Sequence, residues 1–388
     1  MTFKKLIGQL HLWLGLSSGI VVFIIAITGA LWAFETEISD LIYPFRTVQN
    51  ENKAFLPPSK LIAAVEPYFK GKKIRSIQYP AFDKAATLSH RHEENGQDYH
   101  ITAYVNPYTA QVLHVTENEK SFFDIVIELH VNLMLGKVGG YIVDYATLIF
   151  VVLLLSGIVL WWPKNKSAAK QRFWFKWKED LKWKRKNYDL HNILGFYSSF
   201  IIIFVAITGL AWGFEWMDRA IQNTANLSLE YTEWEEPKSV STHTLQAVSN
   251  IEDAIFYRSI SEFGKPYEAI YMYAPDEIDE AFSVYVCPNQ TTWYNAANYS
   301  YDQRTAQLLK TDTWESRNRG EKVNNMYYDI HIGKILGLTG QFMVFFASLI
   351  VASLPFTGFY IWWGRKSKKA KKLKNSKKAI NKHQYSSI

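Results

Sequence analysis

Four long apolar stretches constrain the fold of this 388-residue chain more than any other feature. They cover residues 12–34, 139–162, 192–214 and 336–363. Each is close to the ~20 residues that an α-helix needs to cross ~30 Å of hydrocarbon. The first is longer than the apolar core of a signal peptide and has no small-residue cleavage site after it, so we expect it to be retained. The sequence therefore predicts an α-helical membrane protein with four transmembrane helices.

Basic residues are concentrated beside these stretches. Segments 1–8, 163–189 and 364–388 hold 22 of the 43 Lys and Arg residues and only three acids, whereas the remainder has 21 basic and 33 acidic residues. Basic flanks mark the cytoplasmic side of a membrane helix. Four crossings place all three segments on that side, so both termini are predicted to be cytoplasmic and loops 35–138 and 215–335 external. Because the basic runs adjoin helix ends, we expect anionic lipid or an acidic partner protein there, and no nucleic acid.

The chain contains two copies of one unit. Residues 11–35 read HLWLGLSSGIVVFIIAITGALWAFE and residues 191–215 read HNILGFYSSFIIIFVAITGLAWGFE, with eleven of the twenty-five positions identical. Residues 130–162 and 331–363 repeat in the same way, each beginning with histidine and ending in Trp-Trp. Repeats that run in the same direction predict a pseudo-two-fold axis along the membrane normal. The predicted architecture is a four-helix bundle built from a duplicated helix–external domain–helix unit.

Each external loop has the pattern of an α+β domain. The first contains a helical stretch, SKLIAAVEPYF, with Ser59 as its expected N-cap, and then the alternating segments YHITAYV and AQVLHV. The second offers AIYMYAP and AFSVYVCP as strands. The one cysteine, Cys287, excludes an intramolecular disulfide, an iron–sulfur cluster and covalent haem attachment through C-x-x-C-H.

Four of the ten histidines occupy equivalent places in the repeat. His11 and His191 stand at the cytoplasmic entrances of the first and third spans, and His130 and His331 precede the second and fourth spans on the external side. A pseudo-two-fold axis can bring each histidine to face its mate across the bundle. That arrangement suits a bis-histidine haem, whose iron takes one imidazole from each side of the ring. The two pairs therefore predict two b-type haems, one near each membrane face.

Small residues accompany the inner histidines. Gly15 and Ser18 lie four and seven residues after His11, and Gly195 and Ser198 repeat this spacing after His191, so each set shares one helical face. We interpret these four positions as cofactor-binding, because small side chains let a macrocycle lie flat against a helix. Close helix packing is the alternative explanation.

Several other polar residues are candidates without a settled role. Glu35 and Glu215 match across the repeat at the external ends of the first and third spans, where they are catalytic candidates or solvated helix ends. Asp144 lies within the second apolar stretch, where a carboxylate is costly and so a functional candidate. His90 and His92 form a possible metal-binding cluster in the first loop.

The chain resembles the PepSY-associated transmembrane helix family. The likeness rests on the L-H-x-W-x-G-L pattern around His11, the L-H-x-x-L-x-x-G element around His130, the span that ends in WWP, and D-L-H before the third span. Members are bacterial inner-membrane proteins often linked to iron uptake, and some resemble ferric-siderophore reductases with haem in the bundle. The resemblance implies that the external loops are two PepSY-like periplasmic domains and that His11, His130, His191 and His331 carry over as haem ligands.

The predicted segments are the N-terminus with the first span (1–35), a PepSY-like domain (36–120), an interfacial helix with the second span (121–163), a basic cytoplasmic loop (164–189), the third span (190–216), a second PepSY-like domain (217–326), an interfacial segment with the fourth span (327–364) and a basic cytoplasmic tail (365–388). We expect the tail to be unstructured or to lie on the inner membrane surface.

Three functions are compatible with these features. The first is a di-haem reductase that passes electrons from a cytoplasmic donor to a periplasmic ferric siderophore. No Gly-rich dinucleotide fingerprint follows a predicted strand, so a separate donor of the flavodoxin or flavoprotein type is expected. The alternatives are a non-enzymatic membrane-anchored PepSY regulator or sensor, and an iron or siderophore transporter, which the scarcity of polar residues in mid-bilayer disfavours.

Overall fold

The computed structural model describes residues 2–94, 97–163, 165, 172–229, 231, 236–239 and 248–385, without the side chains of residues 93–98 and 367–385. In chain order the helices are α1 (Phe3–Trp32), α2 (Glu35–Ile42), α3 (Pro58–Phe69), α4 (Phe122–Asn132), α5 (Gly136–Trp161), α6 (Trp183–Gly213), α7 (Glu215–Asn226), α8 (Ile251–Phe263), α9 (Arg319–His331) and α10 (Gly337–Tyr385). The strands are β1 (Ser76–Tyr79), β2 (Ala86–Glu94), β3 (Gln97–Val105), β4 (Val112–Glu117), β5 (Ala269–Tyr273), β6 (Phe282–Cys287), β7 (Ala297–Tyr301) and β8 (Leu308–Asp312).

The chain forms two compact units. The transmembrane unit comprises Met1–Ala33, Asp124–Met217 and His331–Ile388, and the sheet unit comprises Phe34–Phe123 and Asp218–Ile330.

The transmembrane unit is a bundle of α1, α5, α6 and α10. Each of these helices is long and apolar enough to cross a membrane, which confirms the four predicted spans. Helices α1 and α6 each pack against both α5 and α10, so α1 lies diagonally opposite α6. The helices extend beyond the apolar stretches, because polar residues at the membrane surface continue the helical hydrogen bonding. Helix α10 runs to Tyr385, so the basic tail is helical through that residue rather than unstructured.

An apolar core fills the middle of the bundle. All four helices contribute to it, through Val22, Phe150, Leu154, Ile202, Ala206, Ala347 and Val351. Such packing suits mid-bilayer, where a buried polar group without a partner is costly.

In the sheet unit, the two predicted external domains share one sheet. Strands from both loops join in one eight-stranded sheet with the order β4-β3-β2-β1-β5-β6-β7-β8. Strands β1 and β5 pair antiparallel at the centre, with Ser76 opposite Tyr273 and Tyr79 opposite Ile270. Each four-stranded half would otherwise present an unpaired edge, and pairing the two edges satisfies their backbone groups. One hydrophobic core, which includes Ile77 and Met272 of the central strands, serves both halves.

The two halves of the sheet share one hairpin geometry. In the first, the Asn106 N–H donates to the Gln111 carbonyl, and in the second the Asp302 N–H donates to the Gln307 carbonyl, each at 2.8 Å. Strands β3 and β7 each carry a register shift beside this turn. The structural likeness agrees with the sequence likeness between VNPYTAQVLH and YDQRTAQLLK.

Helix α3 begins one residue before the expected cap. Pro58 occupies the first turn, and Ser59 does not cap the helix. Instead the Ser59 N–H and hydroxyl donate to the carboxylate of Asp253 on α8, at 2.7 and 2.5 Å. Proline fits this position because its missing N–H has no partner in the first turn of a helix.

Candidate functional site: four histidines in the transmembrane unit

The structure places the four predicted histidines at two levels of the bundle. His11 lies on α1 and His191 on α6, the diagonal pair of helices. His130 lies near the end of α4 and His331 is the last residue of α9. As the sequence predicted, each of these two outer histidines precedes its membrane span on a separate helix, and glycines with positive φ (Gly136 at 56° and Gly333 at 85°) occupy the turns.

A side-chain hydroxyl on a membrane-spanning helix anchors Nδ1 of every one of these histidines. The Nδ1–Oγ distances are 2.8 Å from His11 to Ser156, 3.1 Å from His130 to Thr28, 2.8 Å from His191 to Thr357 and 2.9 Å from His331 to Thr208. The anchors obey the repeat, since Thr28 and Thr208 are equivalent, as are Ser156 and Thr357. Each imidazole is thus held at Nδ1, the nitrogen nearer the backbone, which leaves Nε2 as the nitrogen available to a metal.

A glycine follows each hydroxyl residue and lies against the same imidazole. A Cβ added at these glycines would meet Cε1 of the ring at 2.9 Å for Gly29 and His130, 3.3 Å for Gly209 and His331, 3.5 Å for Gly157 and His11, and 3.2 Å for Gly358 and His191. We call each adjacent pair (Thr28–Gly29, Ser156–Gly157, Thr208–Gly209 and Thr357–Gly358) a hydroxyl–glycine cradle. The hydroxyl orients the ring and the glycine leaves space for it.

The outer histidines have the spacing of a shared metal. The ring centres of His130 and His331 are 6.0 Å apart, with their planes at 78°. A metal–imidazole bond of about 2 Å and a ring radius of about 1.2 Å put two ligands of one metal roughly 6 Å apart between centres. The donor chemistry also fits, because burial lowers the pKa of His130, and burial together with the charge of His130 lowers the pKa of His331 to about 3. Both rings are therefore neutral at pH 7, as a metal ligand must be. The spacing and the donor chemistry of His130 and His331 fit a haem iron.

The inner and outer levels are well separated along the helices. His11 precedes the outer-level anchor Thr28 by seventeen residues on α1, and His191 precedes Thr208 by the same number on α6. At 1.5 Å per residue, this spacing is about 25 Å, which is most of the hydrocarbon thickness. The two histidine pairs therefore lie near opposite ends of the membrane-spanning bundle.

The small residues that the sequence singled out lie at helix contacts. A Cβ on Gly15 would lie 3.8 Å from Leu153, and one on Gly195 would lie 3.6 Å from Leu354. Ser18 and Ser198 are buried and donate to carbonyls of their own helices. These contacts are those of close helix packing, the alternative explanation for this face.

The matched glutamates both begin a short helix, α2 for Glu35 and α7 for Glu215. A carboxylate in the first turn is favoured by the helix dipole. Glu35 also pairs with Arg46 at 3.3 Å and accepts a hydrogen bond from Ser39 at 3.0 Å. The Glu35 carboxylate is thus held by one ion pair and one hydrogen bond. Asp144 lies against Gly213 of α6. A Cβ added at Gly213 would overlap the Asp144 carboxylate, so only glycine leaves room for it there.

His90 and His100 in the first loop have separate hydrogen-bond partners. His90 Nδ1 lies 2.7 Å from the Lys73 carbonyl, and His100 Nε2 lies 2.9 Å from the Thr102 hydroxyl. Within the described part of the chain, His, Cys, Asp and Glu residues form no group of three that could hold a metal ion.

Sequence reasoning missed the hydroxyl–glycine cradles, although the sequence carries them. Thr28–Gly29 and Thr208–Gly209 close the repeated AITG motif, and Ser156–Gly157 and Thr357–Gly358 recur in the second repeat. A search for polar residues shared by both copies within the apolar stretches would have found them.

Fold and site together define a multi-pass membrane protein with a four-helix bundle and two levels of hydroxyl-anchored histidines. The model of the PepSY-associated TM region family matches residues 9–365, which is nearly the whole chain. The chain therefore belongs to this family. Comparison of the chain with curated proteins finds no match.

Proposed function

We propose that this protein is a di-haem reductase of the bacterial inner membrane, which passes electrons from a cytoplasmic donor to a ferric siderophore in the periplasm. The observation that carries the proposal is the set of four Nδ1-anchored histidines at two levels about 25 Å apart along the helices. His11 and His191 hold the inner haem b, and His130 and His331 hold the outer one.

The chain's own residues position the haems and set the electrostatic environment around them. Haem iron, when bound, supplies reversible one-electron chemistry. His11 and His191 would hold one haem iron and His130 and His331 the other, and the apolar middle of the bundle keeps water away from the path between the levels. In the overall reaction the donor loses one electron and the Fe(III) of the chelate gains it. Fe(II) binds hard oxygen ligands less tightly than Fe(III), so the iron is released.

The charge distribution supports this direction. The basic segments lie at one end of the membrane spans and suit an acidic carrier protein such as a flavodoxin or flavoprotein. The remainder of the chain, with more acids than bases, includes the sheet unit, and we propose that this side faces the periplasm. There, Glu35 and Glu215 are the candidates to shape the approach of the chelate, and Glu35 also pairs with Arg46.

A redox difference spectrum with a pyridine haemochrome count tests the proposal. The purified protein should contain two haems b with low-spin spectra. His11→Ala or His191→Ala should remove one haem, and His130→Ala or His331→Ala should remove the other. A wild-type protein without haem, expressed under haem-replete conditions, would refute the reductase, and equal loss of both haems in every variant would indicate a folding defect instead.

The direction of transfer has its own test. Dithionite-reduced protein should be reoxidised by a ferric siderophore, and a ferrous trap should capture the iron. A variant without the inner haem should complete this half-reaction but fail when electrons are supplied from the cytoplasmic side of a vesicle. Electron passage from that side in this variant would contradict the two-haem route.

The regulatory and transport alternatives predict different results. A membrane-anchored regulator or sensor needs no matched histidines, so its function should survive all four alanine substitutions. A transporter would move the intact chelate or the iron across vesicles without a reductant. Haem content and reductant dependence separate these functions from the reductase.

A further inference from the structure

The hydroxyls that anchor the four histidines use their own protons elsewhere. Each lies within hydrogen-bond distance of a carbonyl one turn back on its own helix. The distances are 2.7 Å from Thr28 to Ile24, 3.0 Å from Thr208 to Phe204, 3.1 Å from Ser156 to Leu153 and 3.0 Å from Thr357 to Leu354. A hydroxyl has a single proton and two acceptor sites. A hydroxyl that donates to its helix can therefore only accept from the imidazole.

Because each hydroxyl can only accept, the proton of the shared hydrogen bond belongs to the ring. The hydrogen bonds therefore give the tautomer with Nδ1 protonated and the lone pair on Nε2 at all four histidines.

We propose that Thr28, Thr208, Ser156 and Thr357 are positioning residues that fix this tautomer and tune the electron density on Nε2. This inference rests on the proposed haem function. A hydrogen bond from the second ring nitrogen raises the basicity of a ligating imidazole. The more basic imidazole stabilises Fe(III) relative to Fe(II), so the hydroxyl chain Nδ1–H···Oγ–H···O=C holds the reduction potential down.

The size of the effect can be estimated from metal sites in which a ligand loses the hydrogen-bond partner of its second nitrogen. Loss of such a partner changes metal affinity about 10–100-fold. A tenfold change in the ratio of ferric to ferrous affinity corresponds to about 59 mV for a one-electron couple. Removing one hydroxyl at the outer level should therefore raise the potential of that haem by about this amount and leave the inner haem unchanged.

Thr208→Val is the most direct test, because valine keeps the shape of threonine and removes only the hydroxyl beside His331. Thr208→Ser restores the hydroxyl and should return the wild-type potential. Thr147→Val is the matched control: Thr147 also donates to its own helix, at 2.8 Å to Val143, and its methyl group approaches Gly209. Spectroelectrochemical titration of the three variants should shift the potential only in Thr208→Val. An unchanged potential there, or an equal shift in Thr147→Val, would overturn the proposal.

The tautomer has a separate readout that does not need haem. Nitrogen-15 NMR of histidine-labelled, haem-free protein should show Nδ1-protonated rings, assigned by loss of one signal in each His→Ala variant. Nε2-protonated rings at these positions would overturn the inference even if the protein binds haem. A wild-type protein that takes up no haem would refute the reductase, while the NMR result would still decide the tautomer.

Discussion

Substitution of Gly29 by alanine should selectively weaken haem binding at the proposed outer site. The new Cβ would lie 2.9 Å from Cε1 of His130, whereas two carbon atoms prefer a separation of about 3.5–4.0 Å. The imidazole must therefore move by roughly 0.6 Å or more. It cannot turn away freely, because Thr28 holds Nδ1 at 3.1 Å.

Forced overpacking of this kind costs about 1–3 kcal/mol. At about 1.4 kcal/mol per factor of ten, the outer haem should bind roughly 5- to 140-fold more weakly. Gly157→Ala provides the matched control at the inner level, because its Cβ would lie 3.5 Å from Cε1 of His11, an ordinary contact. We expect its haem affinity to stay within about threefold of wild type, which is under 0.7 kcal/mol.

The assay is haem titration into haem-depleted protein, followed by absorbance, with His130→Ala as the reference for complete loss of the outer site. Wild-type affinity in Gly29→Ala would refute the cradle geometry. Equal weakening in Gly157→Ala would show that any added methyl group disturbs the bundle. Thermal unfolding of the haem-free variants supplies a second comparison, in which Gly29→Ala should be the less stable.

Three further predictions concern other parts of the chain. Reporter fusions at Lys166 and Gln290 should report opposite compartments, and the same compartment for both would rule out the four-span topology. Burial raises the pKa of Asp302, but hydrogen bonds from Ser239 and neighbouring residues outweigh it and hold the pKa well below its usual range. The ionised Asp302 carboxylate therefore stabilises the fold fully above its unfolded pKa near 3.9, and this stabilisation is lost only as the pH falls through the lower folded pKa. Asp302→Asn should speed amide exchange in the turn around residue 302 roughly tenfold at pH 7. The same increase should still be seen at pH 4. Trp161→Ala removes a ring stacked at 3.6 Å on a phenylalanine and should lower stability by about 3–5 kcal/mol, measured by denaturant unfolding in detergent.

The sequence by itself determined the membrane spans and the paired histidines. Span length and hydrophobicity are local properties, and the bilayer allows few backbone solutions, so 139–162 and 192–214 could be read directly as helices. The repeat supplied the pairing of His130 with His331, because duplicated segments occupy equivalent places.

Only the tertiary structure decided which side chains meet. Gly15 and Gly29 lie on the same helix and look alike in sequence, yet Gly15 faces Leu153 and Gly29 faces His130. The rotation of a helix about its own axis depends on packing against its neighbours, and no local pattern encodes it. Likewise, β1 pairs with β5, so the two predicted domains share one sheet. An unpaired edge strand can accept any strand that reaches it, so the sequence of one half does not specify the partner. The hydroxyl–glycine cradles belong to this second group, because their hydrogen bonds join residues more than 100 positions apart in the chain.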